Sequence, residues 1–240
     1  MRVITYIDGF NLYHSIKDLG SNREYLKWQN INKLSARFLS RNDEIIKIKF
    51  FTAYPKWKPQ SYIRHQNYVA ILQDLGVEVI MGHFKLKRVF CHNCKQEIKK
   101  HEEKQTDVNI ATHIVNDMYQ HKPDIIQLIS GDTDLIPPLK IAQEKGIKIH
   151  IVIPYARKAN EYDFVDKKSK IKIKHLQESV LPQAYTTSSN KVFPALIHIR
   201  KFNFSTPFNP FKKSLDFSNI KQKRFRMYCL EKFQRELAYF

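Results

Sequence analysis

The sequence is poor in cysteine and in acidic residues, and it has no long apolar run. Its three cysteines, Cys91, Cys94 and Cys229, cannot all pair with one another, so the disulfide framework of a secreted protein is not indicated. No apolar stretch approaches the roughly 18 residues that a membrane span needs. The N-terminus carries no cleavable apolar segment. We therefore expect a cytoplasmic protein that does not enter a membrane.

The shortage of acidic residues leaves a strongly basic chain. Among 240 residues, 41 Lys and Arg stand against 23 Asp and Glu, which gives a formal net charge of +18. Such an excess attracts polyanions, with nucleic acid as the first candidate partner and an anionic membrane surface as the second. Lys-rich compositions also arise in AT-rich bacterial genomes. Charge alone therefore favours a nucleic-acid partner without deciding it.

Apolar runs rich in β-branched residues alternate with stretches of helical periodicity, which predicts an α/β fold with a mostly parallel sheet. The predicted strands are 3–7, 45–53, 77–81, 124–129, 147–153 and 171–174. The first predicted helix begins near residue 12. The other predicted helices cover 31–39, 61–75, 106–119, 134–144 and 161–166. Pro137 and Pro138 fall in the first turn of the helix over 134–144, where a missing N–H costs little.

Two segments depart from this alternation. Residues 84–104 resemble a β-ribbon insertion, whose tip carries Cys91 and Cys94. Beyond residue 182 the chain becomes linker-like and then rich in Phe, Lys and Arg. We therefore expect one domain over 1–182, followed over 183–240 by a linker and a basic, aromatic-rich extension. Nucleic-acid binding, docking onto the domain and self-association into a homo-oligomer all stay open for that extension.

Aspartates stand at the ends of two predicted strands. Asp8 follows the first strand, and Asp132 and Asp134 follow the strand over 124–129. Ligand sites in open parallel sheets lie outside the carboxyl ends of the strands, so these side chains converge if the two strands are neighbours. Asp107 lies in the first turn of the helix after the ribbon, with Thr106 as the expected N-cap.

Crowded carboxylates repel one another unless a cation lies among them, and an oxygen-rich site of this kind suits Mg²⁺ or Mn²⁺. Such a cation activates water for attack on a phosphodiester. The structural alternative is that each aspartate only begins a turn or caps a helix. For any one aspartate, the metal-site interpretation and the structural alternative are equally well supported. Two clusters at the ends of strands in one sheet together favour a metal site. Nothing comparable supports a Ser or Cys nucleophile, and no Gly-rich phosphate loop is present.

Three segments carry a family resemblance: YIDGFNLY from Tyr6, EKQTDVNI from Glu103 and SGDTDL from Ser130. Together they resemble the NYN domain family, which is related to the PIN and flap-endonuclease superfamily and includes the LabA-like proteins. The resemblance implies a Rossmann-like, PIN-like sheet with an acidic Mg²⁺ or Mn²⁺ site and activity on RNA. The metal ligands that it implies are Asp8, Asp107, Asp132 and Asp134. Asn11 would line the site and orient a carboxylate or phosphate. Ser130 and Thr133 are weaker candidates for supporting these ligands.

The prediction is a metal-dependent ribonuclease, with internal cleavage favoured, that hydrolyses RNA through a metal-activated water. A non-catalytic RNA-binding or scaffold protein is the first alternative, because it would use the charge without the aspartates. A small-molecule phosphohydrolase is the second, because it would use the metal site without the basic surface.

The ribbon carries two further candidate features. Cys91 and Cys94 supply half of a tetrahedral zinc site that His101 could extend, whereas two free thiols that bind no metal form the slightly favoured alternative. A basic surface on the same segment could guide RNA to the acidic site, although solvated lysines are common; its residues are Lys85, Lys87, Arg88, Lys99 and Lys100. Near the strand ends, Phe10, Tyr13, Tyr54 and Trp57 could stack on bases, although most such aromatics belong to a core.

Overall fold

The computed structural model describes residues 1–91, 96–158 and 160–194. Its strands are β1 (Arg2–Asp8), β2 (Glu44–Thr52), β3 (Glu78–Met81), β4 (His83–Cys91), β5 (Gln96–Lys104), β6 (Ile125–Ile129), β7 (Lys148–Ile153), β8 (Lys167–Lys170), β9 (Ala184–Thr186) and β10 (Val192–Pro194). Its helices are α1 (Gly9–Lys17), α2 (Ile31–Ala36), α3 (Pro59–Asp74), α4 (Thr106–Gln120), α5 (Ile136–Glu144) and α6 (Ile173–Glu178), with 3₁₀ turns at Ser21–Lys27 and Thr133–Leu135.

Six strands form one sheet in the order β3-β2-β1-β6-β7-β8, and every neighbouring pair is parallel. The order runs outward in both directions from the β1–β6 pair, which is the doubly wound arrangement of Rossmann-like folds. In such sheets the crevice for ligands opens at this switch point, beyond the carboxyl ends of the two central strands. The predicted α/β, Rossmann-like sheet is confirmed.

Helices cover both faces of the sheet and divide the core into two apolar layers. On β1, Ile4 and Tyr6 pack in the layer that α4 and α5 complete, whereas Ile7 packs in the layer that contains residues of α1 and α2. Neighbouring side chains of a strand point to opposite faces. Because both faces are covered, β1 is buried from Val3 to Asp8 and shows no polar alternation.

A buried ionic contact fixes α4 to the sheet. Asp117 of α4 is fully buried, and its carboxylate lies 2.7 Å from the ammonium of Lys49 on β2. The hydroxyl of Tyr6 on β1 donates a second hydrogen bond to Asp117 at 2.8 Å. Paired in this way, two charges that would each be costly to bury are both satisfied. Since Asp107 lies at the other end of α4, this contact also helps to set its position.

Two sequence predictions near the end of the sheet are wrong. Residues 161–166 form turns instead of a helix, because Tyr162 is buried and Asp166 accepts a hydrogen bond from the backbone N–H of Ile149 at 2.8 Å. The last strand of the six-stranded sheet is β8, and residues 171–174 do not form a strand. Ile171 is buried at its end, and Ile173 begins α6. A short alternation of Lys and Ile does not distinguish a strand from the start of a helix.

Some predicted helix ends also move. Gln105, in the left-handed conformation with φ of 77°, precedes α4, so Thr106 is its first helical residue and not its N-cap. The hydroxyl of Thr106 donates to Glu103 instead. The helix predicted over 31–39 ends at Ala36. The helix predicted from residue 134 begins at Ile136 after a 3₁₀ turn, with proline in its first turn as expected.

The ribbon and the C-terminal part of the described chain have their own pairing. β4 and β5 form the expected two-stranded ribbon. The described residues of Met1–Phe84 and Glu103–Ile197 form one compact unit, and those of Lys85–Glu102 belong to another. Within the segment expected to be linker-like, β9 and β10 pair antiparallel. Across the described residues, the helices are too short or too polar to cross a membrane.

Candidate metal centre

Asp8 lies at the centre of the crevice. It is the last residue of β1 and the N-cap of α1, and its Oδ1 accepts a hydrogen bond from the backbone N–H of Asn11 at 2.9 Å. This cap satisfies one of the unpaired donors at the start of the helix and holds the carboxylate in one orientation. Only 4% of Asp8 is exposed.

Asp132 approaches Asp8 from the neighbouring strand β6. It caps the 3₁₀ turn Thr133–Leu135, with its Oδ1 accepting from the backbone N–H of Asp134 at 3.1 Å. Between the two aspartates lies the fully buried Ser130, whose Oγ donates to Asp8 Oδ2 at 3.0 Å and accepts from the N–H of Asp132 at 3.1 Å. One hydroxyl therefore links both carboxylate-bearing strand ends.

Asp107, in the first turn of α4, completes a group of three. Asp8, Asp107 and Asp132 each offer a carboxylate oxygen, and these oxygens lie within 4.8 Å of one another. Two oxygens on opposite sides of one Mg²⁺, each about 2.1 Å from it, are roughly 4.2 Å apart. Carboxylate oxygens at this spacing are close enough for the three residues to share one ion. Asp8 is buried, Asp132 half-buried and Asp107 exposed, so one side of the group faces solvent.

The electrostatics of the group also suit a cation. Burial raises the pKa of Asp8 to about 6, and the charges of Asp107 and Asp132 add to the rise, whereas the hydrogen bonds from Asn11 and Ser130 oppose it. Burial and the charges of Asp132 and Asp134 raise the pKa of Asp107 as well. The charges that act on the pKa values of Asp8 and Asp107 are all those of other aspartates. A bound divalent cation would favour the ionised carboxylates.

The other predicted site residues lie close to this group but outside it. Asp134 is exposed and is not one of the three grouped carboxylates, although it is near enough to act on the pKa of Asp107. The side-chain oxygen of Asn11 accepts from the backbone N–H of Gly131 at 3.2 Å and so joins α1 to the loop after β6. Thr133 lies in the 3₁₀ turn. The roles implied for these residues stay predictions.

Glu103, to which the sequence assigns no role, belongs to the same acidic region. It is half-buried at the end of β5 and accepts a hydrogen bond from Thr106. Burial raises its pKa to about 8, with further contributions from the charges of Asp8 and Asp107. It was missed because it stands in a run of charged residues that is typical of a solvated ribbon. Its position four residues before Asp107 was the feature of the sequence that could have indicated a place near the site.

Two residues from the β7–β8 connection also border the site. The fully buried Tyr162 donates its hydroxyl to the backbone carbonyl of Asp132. Arg157 is half-buried, and its Cβ lies 3.1 Å from the position that a Cβ on Gly131 would occupy. Its guanidinium pairs with the exposed Asp18 at 3.2 Å. Nothing in the local sequence connects either residue with Asp132, because only the fold brings them there.

Gly9 allows the start of α1 to lie close to the end of β2. A Cβ at this position would lie 2.6 Å from the backbone carbonyl oxygen of Phe51 and 2.7 Å from the ring of Phe50. Contacts under 3 Å force the neighbouring atoms to move, and a backbone carbonyl within a sheet cannot move cheaply. Glycine after Asp8 thus allows α1 to begin directly against β2.

The candidate RNA-binding residues of the ribbon lie on β4 and β5. These basic side chains are exposed apart from Lys100, which is half-exposed; the others are Lys85, Lys87, Arg88 and Lys99. Two of them have acidic partners within the ribbon, Lys87 with Glu102 at 3.9 Å and Arg88 with Glu97 at 3.6 Å. Cys94 and the side chain of Cys91 lie outside the described residues, so the zinc prediction for Cys91, Cys94 and His101 stays a prediction.

Two known proteins show limited similarity to this chain. Of the curated proteins, 6-hydroxy-3-succinoylpyridine 3-monooxygenase HspA from Pseudomonas putida (strain DSM 28022 / S16) is 26% identical, over 64% of this chain and 60% of that protein. The chain thus matches about three fifths of the length of this relative. Of the solved structures, MurG from Acinetobacter baumannii aligns at 10% identity with a TM-score of 0.31, covering 70% of this chain and 45% of that one. That likeness supports no conclusion.

The model of the NYN domain matches residues 2–172, which contain all three motif segments and every residue of the acidic group. This match spans more than two thirds of the 240 residues. The Rossmann-like parallel sheet is the fold that the family resemblance implies. The chain belongs to the NYN domain family, a family of the nuclease type.

Proposed function

We propose that this protein is a divalent-metal-dependent ribonuclease, which hydrolyses RNA phosphodiester bonds at the centre formed by Asp8, Asp107 and Asp132. The observation that carries the proposal is the approach of these three carboxylates to within 4.8 Å at the switch point of the sheet. Their oxygens form the hard ligand set that Mg²⁺ and Mn²⁺ prefer. Because one fold can host unrelated reactions, the site and not the fold supports this function.

The residues of the centre would divide the work of holding the ion. Asp8, Asp107 and Asp132 would bind it, and Ser130 and Asn11 would keep Asp8 oriented through their hydrogen bonds. When bound, a divalent cation lowers the pKa of water and screens the negative charge that develops on a phosphate. The exposed side of the group, at Asp107, leaves room for the phosphate to approach. Asp134 is proposed as a more distant carboxylate that strengthens the local negative potential.

RNA is the proposed substrate because the protein attracts polyanions. A net charge of +18 raises the local concentration of nucleic acid and makes its binding depend on salt. The basic side chains of the ribbon contribute to this charge, and Lys85 and Lys99 are exposed. We propose that these residues contact the RNA backbone. A small-molecule phosphohydrolase would gain nothing from such a surface.

The test is incubation of the purified protein with labelled single-stranded RNA in the presence of Mn²⁺, Mg²⁺ or chelator. We expect cleavage that requires the metal and that is lost in Asp132→Asn. Asp163→Asn is the matched control. This aspartate lies in the turns before β8, is exposed and pairs with Lys168. The control should cleave at the rate of the unaltered protein.

Two outcomes would replace this proposal. Tight RNA binding without cleavage under any metal would indicate a binding or scaffold protein. Hydrolysis of mononucleotides that a long RNA does not inhibit would indicate a small-molecule phosphohydrolase. Cleavage that survives in a folded Asp132→Asn protein would move the reaction away from this centre.

A further inference from the structure

Three aromatic side chains form a cluster at the same edge of the sheet as the metal centre. Phe10 follows β1, Trp57 follows β2, and Phe84 lies just after β3 at the start of β4. The ring of Phe84 is central: its centroid lies 5.3 Å from that of Phe10 and 4.6 Å from that of Trp57. Both contacts are edge-to-face, at 79° and 81°, a geometry that aromatic pairs favour. Each ring therefore supports the orientation of the next.

Phe10 and Phe84 both lie close in the chain to residues that pack near the acidic group. Phe10 stands two residues after Asp8, in the first turn of α1. Near Phe84, Gly82 donates its N–H to the carbonyl of Thr52 at 2.7 Å. A Cβ on Gly82 would lie 2.8 Å from the carbonyl oxygen of Lys104 and 3.1 Å from the hydroxyl of Thr106. Gly82, two residues before Phe84, thus lies against the turn that leads into Asp107.

Core packing does not account for these three rings. Phe10, Trp57 and Phe84 are all half-exposed, and none belongs to the buried apolar layers on either face of the sheet. Lys56 and Lys58, which flank Trp57, are exposed. Half-exposed aromatic rings next to cations are the features by which proteins bind single-stranded nucleic acid, with bases stacked on the rings and phosphates near the charges.

We propose that Phe10, Trp57 and Phe84 form a stacking site for an unpaired nucleobase beside the metal centre, which selects single-stranded RNA. This inference rests on the proposed function and adds the substrate class to it. In a duplex the bases are stacked on one another and paired, so their faces are not available to a protein ring. An unpaired nucleotide that stacks here brings its neighbouring phosphates to the carboxyl edge of β1 and β6.

Fluorescence of Trp57 tests the site without any need for cleavage. The chain has two tryptophans, and Trp28→Phe leaves Trp57 as the single reporter. In chelator, this variant is titrated with oligouridylate, with an abasic strand of equal length, and with a duplex. We expect oligouridylate to quench Trp57 and to bind roughly tenfold more tightly than the abasic strand. The duplex should resemble the abasic strand, because both offer phosphates without accessible base faces.

Substitutions at the rings separate stacking from charge. Phe10→Leu and Phe84→Leu, each in the Trp28→Phe background, should reduce oligouridylate binding to the level of the abasic strand. Phe10→Tyr, which keeps an aromatic face, should retain it. Tyr119→Leu is the matched control, since Tyr119 is 64% exposed near the opposite end of α4 from Asp107. This control should bind as the background protein does, and the melting temperatures of all variants identify any that fails to fold.

The stacking proposal and the nuclease proposal fail separately. Equal binding of the base-bearing and abasic strands would overturn the stacking site, even if metal-dependent cleavage is found. Base-dependent quenching that Phe10→Leu and Phe84→Leu both abolish would support the stacking site, even if no cleavage is found. Retention of base-dependent binding in both folded leucine variants would overturn it as well.

Discussion

Ser130 and Asp8 are joined by a buried hydrogen bond of 3.0 Å between Ser130 Oγ and Asp8 Oδ2, although 122 residues separate them in the chain. The same Oγ accepts from the backbone N–H of Asp132. Because β1 and β6 are neighbours, one serine side chain bonds both the carboxylate of Asp8 and the backbone of Asp132. The bond also opposes the effect of burial on the pKa of Asp8. Ser130 is therefore a positioning residue for the proposed centre.

Ser130→Ala should raise the pKa of Asp8 further and make metal binding more dependent on high pH. Loss of the donor leaves Asp8 with one fewer hydrogen bond in a buried site, at a cost of about 1–3 kcal/mol. Mn²⁺ affinity measured by calorimetry between pH 6 and 8 should show the alkaline shift. Ser15→Ala removes another buried hydroxyl, bonded to the carbonyl of Leu12, and should leave the pH dependence unchanged. The same pH profile in both variants would contradict this role.

Asp107→Asn and Asp134→Asn should differ in their effect on metal affinity. Asp107 belongs to the group whose oxygens lie within 4.8 Å, whereas Asp134 does not. We expect Asp107→Asn to weaken Mn²⁺ binding by about tenfold to a hundredfold, as for loss of a ligand or its supporting partner. Asp134→Asn should weaken it by a few-fold, through charge alone. Titration calorimetry measures both, and an equal or reversed order would place the ion closer to Asp134.

The metal-free protein should lose stability as the pH rises from 6.5 to 8.5. The pKa of Glu103 is about 8 in the folded chain and 4.5 in its ordinary state, so the folded state holds a proton that the unfolded state has released. Stability that depends on this proton is present at low pH and is lost as the pH rises through 8. Urea denaturation in chelator at several pH values measures the decline.

Glu103→Gln cannot ionise and should flatten that decline. The window above pH 6.5 is informative because burial lowers the pKa of His65 to about 4 and that of His14 below its ordinary value, so both are largely neutral there. Mn²⁺ should oppose the decline in the unaltered protein, because a bound cation favours ionised carboxylates. A decline of equal slope in Glu103→Gln would show that another group causes it.

Breaking the Lys49–Asp117 pair should strongly destabilise the fold. Asp117 is fully buried and Lys49 is 2% exposed, so removal of either one leaves the other charge in the core without its nearest counterion, which lies 2.7 Å away. Lys49→Met should cost about 3–5 kcal/mol in the free energy of unfolding, measured by urea denaturation. The double variant Lys49→Met with Asp117→Leu should recover part of this loss, since it removes both charges. Lys27→Met is the control, because its pair with Glu24 is partly exposed and should contribute about 1 kcal/mol or less.

Local patterns in the sequence were sufficient for the main elements of the sheet. The apolar runs that become β1, β6 and β7 are buried on both faces, and this gives them a continuous hydrophobic signal. The placement of Asp8 and Asp132 after two such runs was readable for the same reason. The errors fell at short segments such as 171–174, where a few alternating residues fit a strand and a helix equally well.

What the sequence determined by itself is the order of strands and helices and the position of acidic residues at the ends of strands, because these depend on hydrophobic periodicity over neighbouring residues. The family resemblance implied that Asp107 joins Asp8 and Asp132, but only the tertiary structure decided how closely their oxygens approach. It also decided that Glu103 lies in the same acidic region and that Tyr162 supports the loop of Asp132. These contacts join residues from separate elements. Their geometry follows from the packing of helices and connections on the sheet, which no local pattern encodes.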